Sequence, residues 1–363
     1  MTLKKQLKTI NPYQPGKPIE EVKAEYGLNE VIKLASNENP FGSSPKAIEA
    51  MKEAIHDMAV YPDGHATALR QALAQKHHVS EEQFVFSNGL DELVHMLSHS
   101  ILEPGMNTVL ADITFSSYKI SALIEGAELR EVPLVDGRHD LPGMLDRMDE
   151  HTGIVWLCNP NNPTGEIIKK HELEDFLEKV PEHVLVVADE AYHEYADHPE
   201  YPRTVDYVER YPNLIVMRTF SKVYGLAGLR IGYGIANAQL IRDLEPVRQP
   251  FNASRIAQKA AIKALDDHEF INYSIEQTHQ GLEQYYAFCE AYGLKYFKSY
   301  ANFILIEFDR PGEEIFNALL PKGFIVRVGV APGMPNTVRI TIGSKEQNAA
   351  IIECLKGILN EKK

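Results

Sequence analysis

The sequence predicts an α/β protein: a large unit with a mainly parallel sheet sandwiched by helices, plus a smaller α+β unit. Three observations lead there. From Gln83 to Phe220, short apolar runs recur with helical stretches between some of them. Those runs are near-continuous rather than alternating, as expected of strands buried on both faces. After about residue 250 the pattern changes to long helices followed by a second set of short strands. Strand–helix alternation of the first kind implies parallel strands joined by crossovers.

In chain order, residues 1–40 are rich in Pro, Gly and Asn (NPYQPGKP, then SNENPFGSSP) and read as an arm that joins the smaller unit. A helix is expected from Pro45 to about Asp57. QFVFSNG, NTVLAD, AELREVPL, GIVWLCNP, HVLVVADEAY and NLIVMRTF read as strands of the large unit, assigned to residues 41–260. DELVHMLSHSIL and KKHELEDFLEKV carry helical apolar spacing. RIAQKAAIKALDDHEF and the run to Tyr292 read as long helices. ANFILIEF, EEIFNALLPKG, FIVRVG, VRITIG and a last amphipathic helix complete the smaller unit, assigned to residues 261–363.

With 363 residues, the chain can bury two cores. The 37 Lys and Arg against 51 Asp and Glu give a formal net charge of −14, which argues against nucleic acid as a main partner. Three cysteines at long spacings, with no Cys-x-x-Cys, favour a reducing, cytoplasmic setting. MTLKKQLKTI lacks an apolar stretch of signal length, and no apolar run is long enough to span a bilayer. A soluble protein with no membrane partner is expected. Neither His171-Glu172 nor His77-His78 makes a metal-binding pair, so no metal is expected. Gly232-Tyr-Gly234 lacks the third glycine of a dinucleotide fingerprint, and no P-loop occurs.

Four stretches at strand ends carry polar chemistry, where open α/β sheets bind ligands. In SNGLDEL a strand gives way to a helix, leaving the N–H groups of Gly89, Leu90 and Asp91 free for an anion. A plain cap by Asn88 is the simpler reading of that stretch alone. In ADEAY, Asp189 ends a buried strand and needs a cation or donors, whether from a salt bridge or a ligand. NPNNPTG is a tight turn whose asparagine amides can hold a polar atom; Cys158 before it reads as packing. In TFSKVYGLAGLRIGY, a desolvated Lys222 can form a Schiff base with a carbonyl, and Ser221 and Arg230 can bind an anion. A buried Lys–Asp pair is the alternative. Together the parts suit a phosphate, a protonated ring nitrogen, a phenolic oxygen and an aldehyde, the features of pyridoxal 5′-phosphate.

NPNNPTG, DEAY and SKVYGLAGLRIGY, in that order, resemble the fold type I pyridoxal-phosphate aminotransferases, and the likeness runs from the arm to VRITIG. Within that family, NPYQPGKP, LASNENPFG, YPDGHATALR and IVRVG…VRITIG are similar to the histidinol-phosphate branch; aromatic-amino-acid aminotransferases share much of the pattern. The resemblance implies catalytic roles for Lys222, Asp189 and Tyr192. Lys222 would carry the cofactor and move the proton, and Asp189 would pair with the ring nitrogen. Asn162 and Tyr192 would hold the phenolic oxygen, and Phe115 would stack on the ring. Gly89, Leu90, Asp91, Ser221 and Arg230 would take the phosphate, with Thr219 nearby. Tyr61 would reach that phosphate from the second subunit of a homodimer with shared sites.

For substrates, the resemblance implies histidinol phosphate and 2-oxoglutarate, giving imidazole acetol phosphate and glutamate in histidine biosynthesis. Arg327 and Arg339 would bind either anion, and Tyr13 would cover the imidazole side. Asn37 and Glu38 are further candidates for that pocket, though Glu38 reads equally as a surface or capping residue and is left out of the expected site. The rival readings are a phenylalanine/tyrosine aminotransferase and a threonine-phosphate decarboxylase. A ligand-sensing regulator would need a fused DNA-binding segment, for which the arm leaves no room.

Overall fold

Pro18 precedes and Gly27 follows the octapeptide IEEVKAEY, and helix α1 (Ile19–Tyr26) forms between them. Gly27 takes a left-handed φ of 66° and returns its N–H to the Lys23 carbonyl, a glycine C-cap. A computed structural model describes residues 3–8, 10 and 16–361. The sequence reading names no helix in the arm; α1 buries only Val22, so its apolar face is too thin to show as a period. Strand β1 (Ile32–Lys33) follows. Helix α2 (Pro45–Ala54) starts where Pro45 occupies N1 and the Ser44 hydroxyl accepts from the Ala47 N–H. Helix α3 (Thr67–His77) lies beyond the YPDG loop.

The large sheet then builds in sequence: β2 (Phe84–Ser87), α4 (Leu90–Ile101), β3 (Asn107–Ala111), α5 (Ser116–Glu125) and β4 (Glu128–Val132), then α6 (Leu141–Asp146), β5 (Thr152–Cys158), α7 (Lys170–Leu177), β6 (Leu185–Asp189), β7 (Leu214–Thr219), β8 (Gly232–Ala236) and α8 (Ala238–Leu244). The spatial order is β2-β8-β7-β6-β5-β3-β4. Strands β3 to β7 are parallel, and β8 runs antiparallel to both its neighbours. Strand alternation sends Val155 and Leu157 into one core and Ile154, Trp156 and Cys158 into the other. Both faces are therefore dry, which is why these strands read as unbroken apolar runs. β4 is one of the two edges, and its ELREV sequence keeps Glu128, Arg130 and Glu131 out of the core, which discourages edge pairing.

Helix α9 (Arg255–Leu265) turns Ala257, Ala260, Ala261 and Ala264 into the large core. Helix α10 (His268–Tyr292) then carries the chain from Ile271, in that core, to Phe288 in a separate one. Beyond it come β9 (Lys295–Tyr296), β10 (Phe303–Glu307), α11 (Gly312–Leu319), β11 (Phe324–Ile325), β12 (Thr337–Thr341) and α12 (Lys345–Asn360). β12-β10-β9 form an antiparallel sheet packed on α10 and α12. The arm joins this unit through a parallel pairing, Ile32 against Phe324 and Lys33 against Ile325. We propose that the division between the units falls close to the expected residues 260 and 261, near where α10 leaves the large core. Among the described residues no helix is long and apolar enough to cross a membrane.

Candidate active site

The parallel register brings the carboxyl ends of β5, β6 and β7 level: Cys158 pairs with Asp189, and Asp189 with Met217. A cavity of about 310 Å³ opens there. Leu90, Asp91, Phe115, Asn162, Asp189, Tyr192, Ser221, Lys222 and Arg230 line it, so most of the residues singled out in the sequence converge. Thr219 lines it too. So do Ser36 and Glu38 from the arm, and Cys158. Glu38 was left off the expected site as a surface residue; it pairs with Lys33 at 3.0 Å while facing the cavity.

Asp189 is buried, with one donor on each oxygen. Tyr118 Oη donates to Oδ2 at 2.5 Å and the Ala191 N–H to Oδ1 at 3.1 Å. Burial still pushes its carboxyl up to about 6, against the pull of those two donors. Asp91 adds to the rise and Lys222 opposes it. A carboxylate so placed gains most from a cation brought against it.

Lys222 follows β7, its Nζ 3.4 Å from the Ser36 carbonyl and 5.4 Å above the Tyr192 ring. Burial, with help from Arg339 and Arg230 and against the pull of Glu38 and Asp91, lowers the amine to about 8. At that value a sizeable fraction of the amine is neutral and nucleophilic near neutral pH. The direct Lys–Asp ion pair considered from the sequence does not form: no Lys222–Asp189 contact is within salt-bridge reach.

At the opposite side, Gly89 is the N-cap of α4 with φ 80°. A Cβ there would meet Arg230 Nη2 at 2.1 Å, so only glycine lets the guanidinium lie against this turn. Arg230 holds a left-handed φ of 54° and donates through Nη1 to the Ala227 carbonyl at 3.1 Å. Asp91 Oδ2 stands 4.0 Å from its Nη2. The first-turn N–H groups of α4 lack helical partners by position. Ser221 is buried, and its hydroxyl accepts from Thr219 Oγ1 at 3.0 Å. These groups form a cradle suited to a phosphate.

Asn162 spans the third side. Its Nδ2 points to Tyr192 Oη at 3.5 Å and its Oδ1 accepts from Arg339 Nη1 at 2.6 Å. Asn37 Nδ2 donates to the same Tyr192 oxygen at 3.0 Å. Arg339 is buried, donates through Nη2 to the Ala35 carbonyl at 2.8 Å, and exchanges backbone hydrogen bonds with Arg327. Neither Arg327 nor Arg339 lines the cavity itself, Arg339 meeting it through Asn162, and Gly89 lies just behind the lining residue Leu90. Tyr13 lies outside the described residues. Tyr61 is not brought to the cavity of its own chain: it is 75% exposed and stacks on Phe251 at 4.7 Å.

Sequence reasoning missed Tyr118, one turn after Phe115 in ITFSSY; a tyrosine inside an apolar helix face carries no signal of what its hydroxyl meets. Stacked on Trp156 at 4.6 Å, it reaches Asp189 from the same helical face as Phe115. The set of groups fits pyridoxal phosphate: an anion cradle at one side, a buried carboxylate, an amide–phenol pair, and an amine of lowered basicity.

Residues 29–355 match the family described as aminotransferase class I and II. A histidinol-phosphate aminotransferase of Geobacillus sp. (strain WCH70) is 56% identical over 362 residues, spanning 100% of this chain and 99% of that protein. One from Bacillus subtilis (strain 168) is 54% identical over 360 residues, 99% and 100% of the two chains. The crystal structure of histidinol-phosphate aminotransferase from Sinorhizobium meliloti in complex with pyridoxal-5′-phosphate superposes with a TM-score of 0.91 at 27% identity, covering 99% of this chain and 98% of that one.

Proposed function

The chain belongs to the class I and II aminotransferase family, and on that premise we propose that it transfers the amino group of histidinol phosphate to 2-oxoglutarate, with pyridoxal 5′-phosphate as cofactor, giving imidazole acetol phosphate and glutamate. This is a step of histidine biosynthesis. The observation that carries the reading is one cavity holding both an amine lowered to about 8 at Lys222 and a desolvated carboxylate at Asp189.

When bound, the cofactor supplies a carbonyl for amine exchange and a protonated ring that withdraws electrons from the substrate. Asp189 sets a negative charge against the ring nitrogen and keeps it protonated. Lys222, as a neutral amine, would take the proton from the substrate Cα and return it. Tyr192 and Asn162 orient the phenolic oxygen, and Phe115 covers a ring face and excludes water. The α4 N-terminus, Gly89 to Asp91, with Ser221 and Arg230, binds the cofactor phosphate. Arg339, anchored on Asn162 and Ala35, offers a guanidinium to the phosphate of one substrate and the carboxylate of the other. The resemblance also gives Arg327 and Tyr13 to the substrate side, although Arg327 stands off the cavity lining and Tyr13 lies outside the described residues.

The working form is a homodimer in which the partner subunit's Tyr61 reaches the cofactor phosphate. Supporting this, Tyr61 is exposed beside Val60 and Met58, large apolar side chains that otherwise face water. Size-exclusion light scattering and a Tyr61→Ala variant test it; a monomer with full activity would rule it out.

Substrate choice is tested by presenting histidinol phosphate, phenylalanine, tyrosine and threonine phosphate separately to the purified protein. Loss of the cofactor's visible band and formation of the keto product are followed. Reaction with phenylalanine and tyrosine alone replaces the substrate assignment, and carbon dioxide from threonine phosphate replaces the reaction class.

A further inference from the structure

Tyr118 lies outside the cavity lining and meets the site through Asp189, Phe115 and Cys158. Its ring is fully buried, parallel to Trp156 within 9° at 4.6 Å and met edge-on by Phe115 at 5.5 Å. Trp156 is itself fixed: Nε1 donates to Thr108 Oγ1 at 2.9 Å, and that hydroxyl donates to the Ile154 carbonyl at 2.8 Å. The phenol therefore reaches Asp189 at the end of a chain of constrained groups, with little freedom to turn away.

A buried phenol must place its O–H somewhere, so one hydrogen bond alone is not a function. What gives it consequence is the acceptor. Asp189 is desolvated, and burial favours its protonated form, which cannot hold a cationic ring nitrogen. The groups facing it are Tyr118 from α5, Cys158 from β5, Asp91 from α4, and Tyr192 and Lys222 beyond β6 and β7. Among the influences that favour the anion, the Tyr118 hydrogen bond is the largest, ahead of the Ala191 N–H. It also occupies Oδ2 while Ala191 occupies Oδ1, which fixes the plane of the carboxylate.

We propose that Tyr118 is the positioning residue for Asp189, its hydroxyl orienting the carboxylate and holding it as the anion that meets the ring nitrogen of pyridoxal phosphate. The proposal rests on the reading of the cavity as that cofactor's site. Tyr118→Phe keeps the stack and removes only the O–H, which makes it the variant of choice.

The first measurement needs no cofactor: the Asp189 carboxyl is titrated in cofactor-free protein by infrared difference or carbon-13 NMR, with Asp189→Asn to assign the signal. The midpoint should rise by about one unit or more in Tyr118→Phe; an unchanged midpoint overturns the proposal. The second is the pyridoxal-phosphate Kd between pH 5 and 9. Tyr118→Phe should bind up to about tenfold more weakly near pH 5 and roughly twofold more weakly near pH 7, with the gap closing towards pH 9 as the carboxylate ionises in both proteins. A loss of the same size at every pH marks a merely structural role and also overturns it. If the native protein itself takes up no pyridoxal phosphate, the cofactor reading fails, while the carboxyl titration still decides the Tyr118–Asp189 coupling.

Discussion

Arg339 Nη1 donates to Asn162 Oδ1 at 2.6 Å, tying a strand of the smaller unit to the NPNNPTG turn of the larger one. The same guanidinium reaches the Ala35 carbonyl at 2.8 Å, so three distant segments meet on one planar group. Lysine, a point charge, cannot make both contacts. Arg339→Lys is expected to raise KM for 2-oxoglutarate by roughly 10- to 100-fold, the value of one charge-assisted bond, with a smaller change in kcat. Steady-state kinetics with both substrates check this; an unaltered KM removes Arg339 from the substrate side.

Lys222 should show its lowered basicity directly. Its amine sits at about 8 in place of 10.5, so the folded protein binds fewer protons than the unfolded chain between those values. Stability at this site is therefore depressed below pH 8 and recovers as pH rises through the window. Capture of pyridoxal phosphate by cofactor-free protein should quicken about tenfold per unit below pH 8 and level off above it. Stopped-flow absorbance measures it. Lys222→Ala should show neither the visible band nor turnover.

Asp189 behaves in the opposite sense. Its folded value of about 6 lies above the ordinary 3.8, so the folded protein binds the extra proton and loses stability as pH rises through that interval. The cost at pH 7 is about 3 kcal/mol in cofactor-free protein. Asp189→Asn should melt higher than native protein at pH 7 without cofactor and about equally near pH 4. It should also lose roughly 100-fold or more in turnover. Calorimetry at the two pH values, with an activity assay, tests both halves; native-like rates would contradict the role.

Glu190, the next residue, turns to the other face of the sheet. Its Oε2 accepts from Arg218 Nε at 2.9 Å and Nη2 at 2.7 Å, with both side chains buried. Arg218 Nη1 also lies 3.3 Å from His77 Nδ1. Removing one partner leaves a buried charge unpaired, at about 3–5 kcal/mol. Glu190→Gln should lower stability by that amount in urea titrations, while the pH dependence of activity keeps its midpoint. A midpoint shift would place Glu190 in the site after all.

Gly89→Ala should disturb the phosphate side by displacing Arg230, whose Nη2 would stand 2.1 Å from the new Cβ. Pyridoxal-phosphate affinity is expected to fall roughly 10- to 100-fold, the equivalent of one charged hydrogen bond. Fluorescence titration reads it, and an unchanged Kd would mean that Arg230 serves another purpose.

The central strands were legible because strands dry on both faces must be apolar throughout: Leu185–Asp189 and Leu214–Thr219 are buried at every residue. Asp189 and Lys222 stood out because they interrupt such runs with charge. Strand β8 escaped notice. Its Gly-Tyr-Gly opening looks like a turn, yet a Cβ at Gly234 would stand 2.9 Å from Ile215 and 3.0 Å from Val85. Close packing between strands, invisible in one dimension, selects that glycine. Glu38 and Tyr118 were illegible for a related reason, since each matters through a neighbour 70 or more residues away or across a cavity.

The parallel pairing of Ile32 with Phe324 sets an order on biogenesis. The first strand to leave the ribosome waits for a mate synthesised almost last, whereas the sheet from Phe84 to Ala236 draws on one contiguous stretch. Distant pairing of this kind delays closure, and domains mature as their residues emerge. Nascent chains stalled at Leu319 are therefore expected to shield the central strands from protease while residues near Ile32 stay cleavable; early protection there would show that the amino-terminal strand finds another anchor.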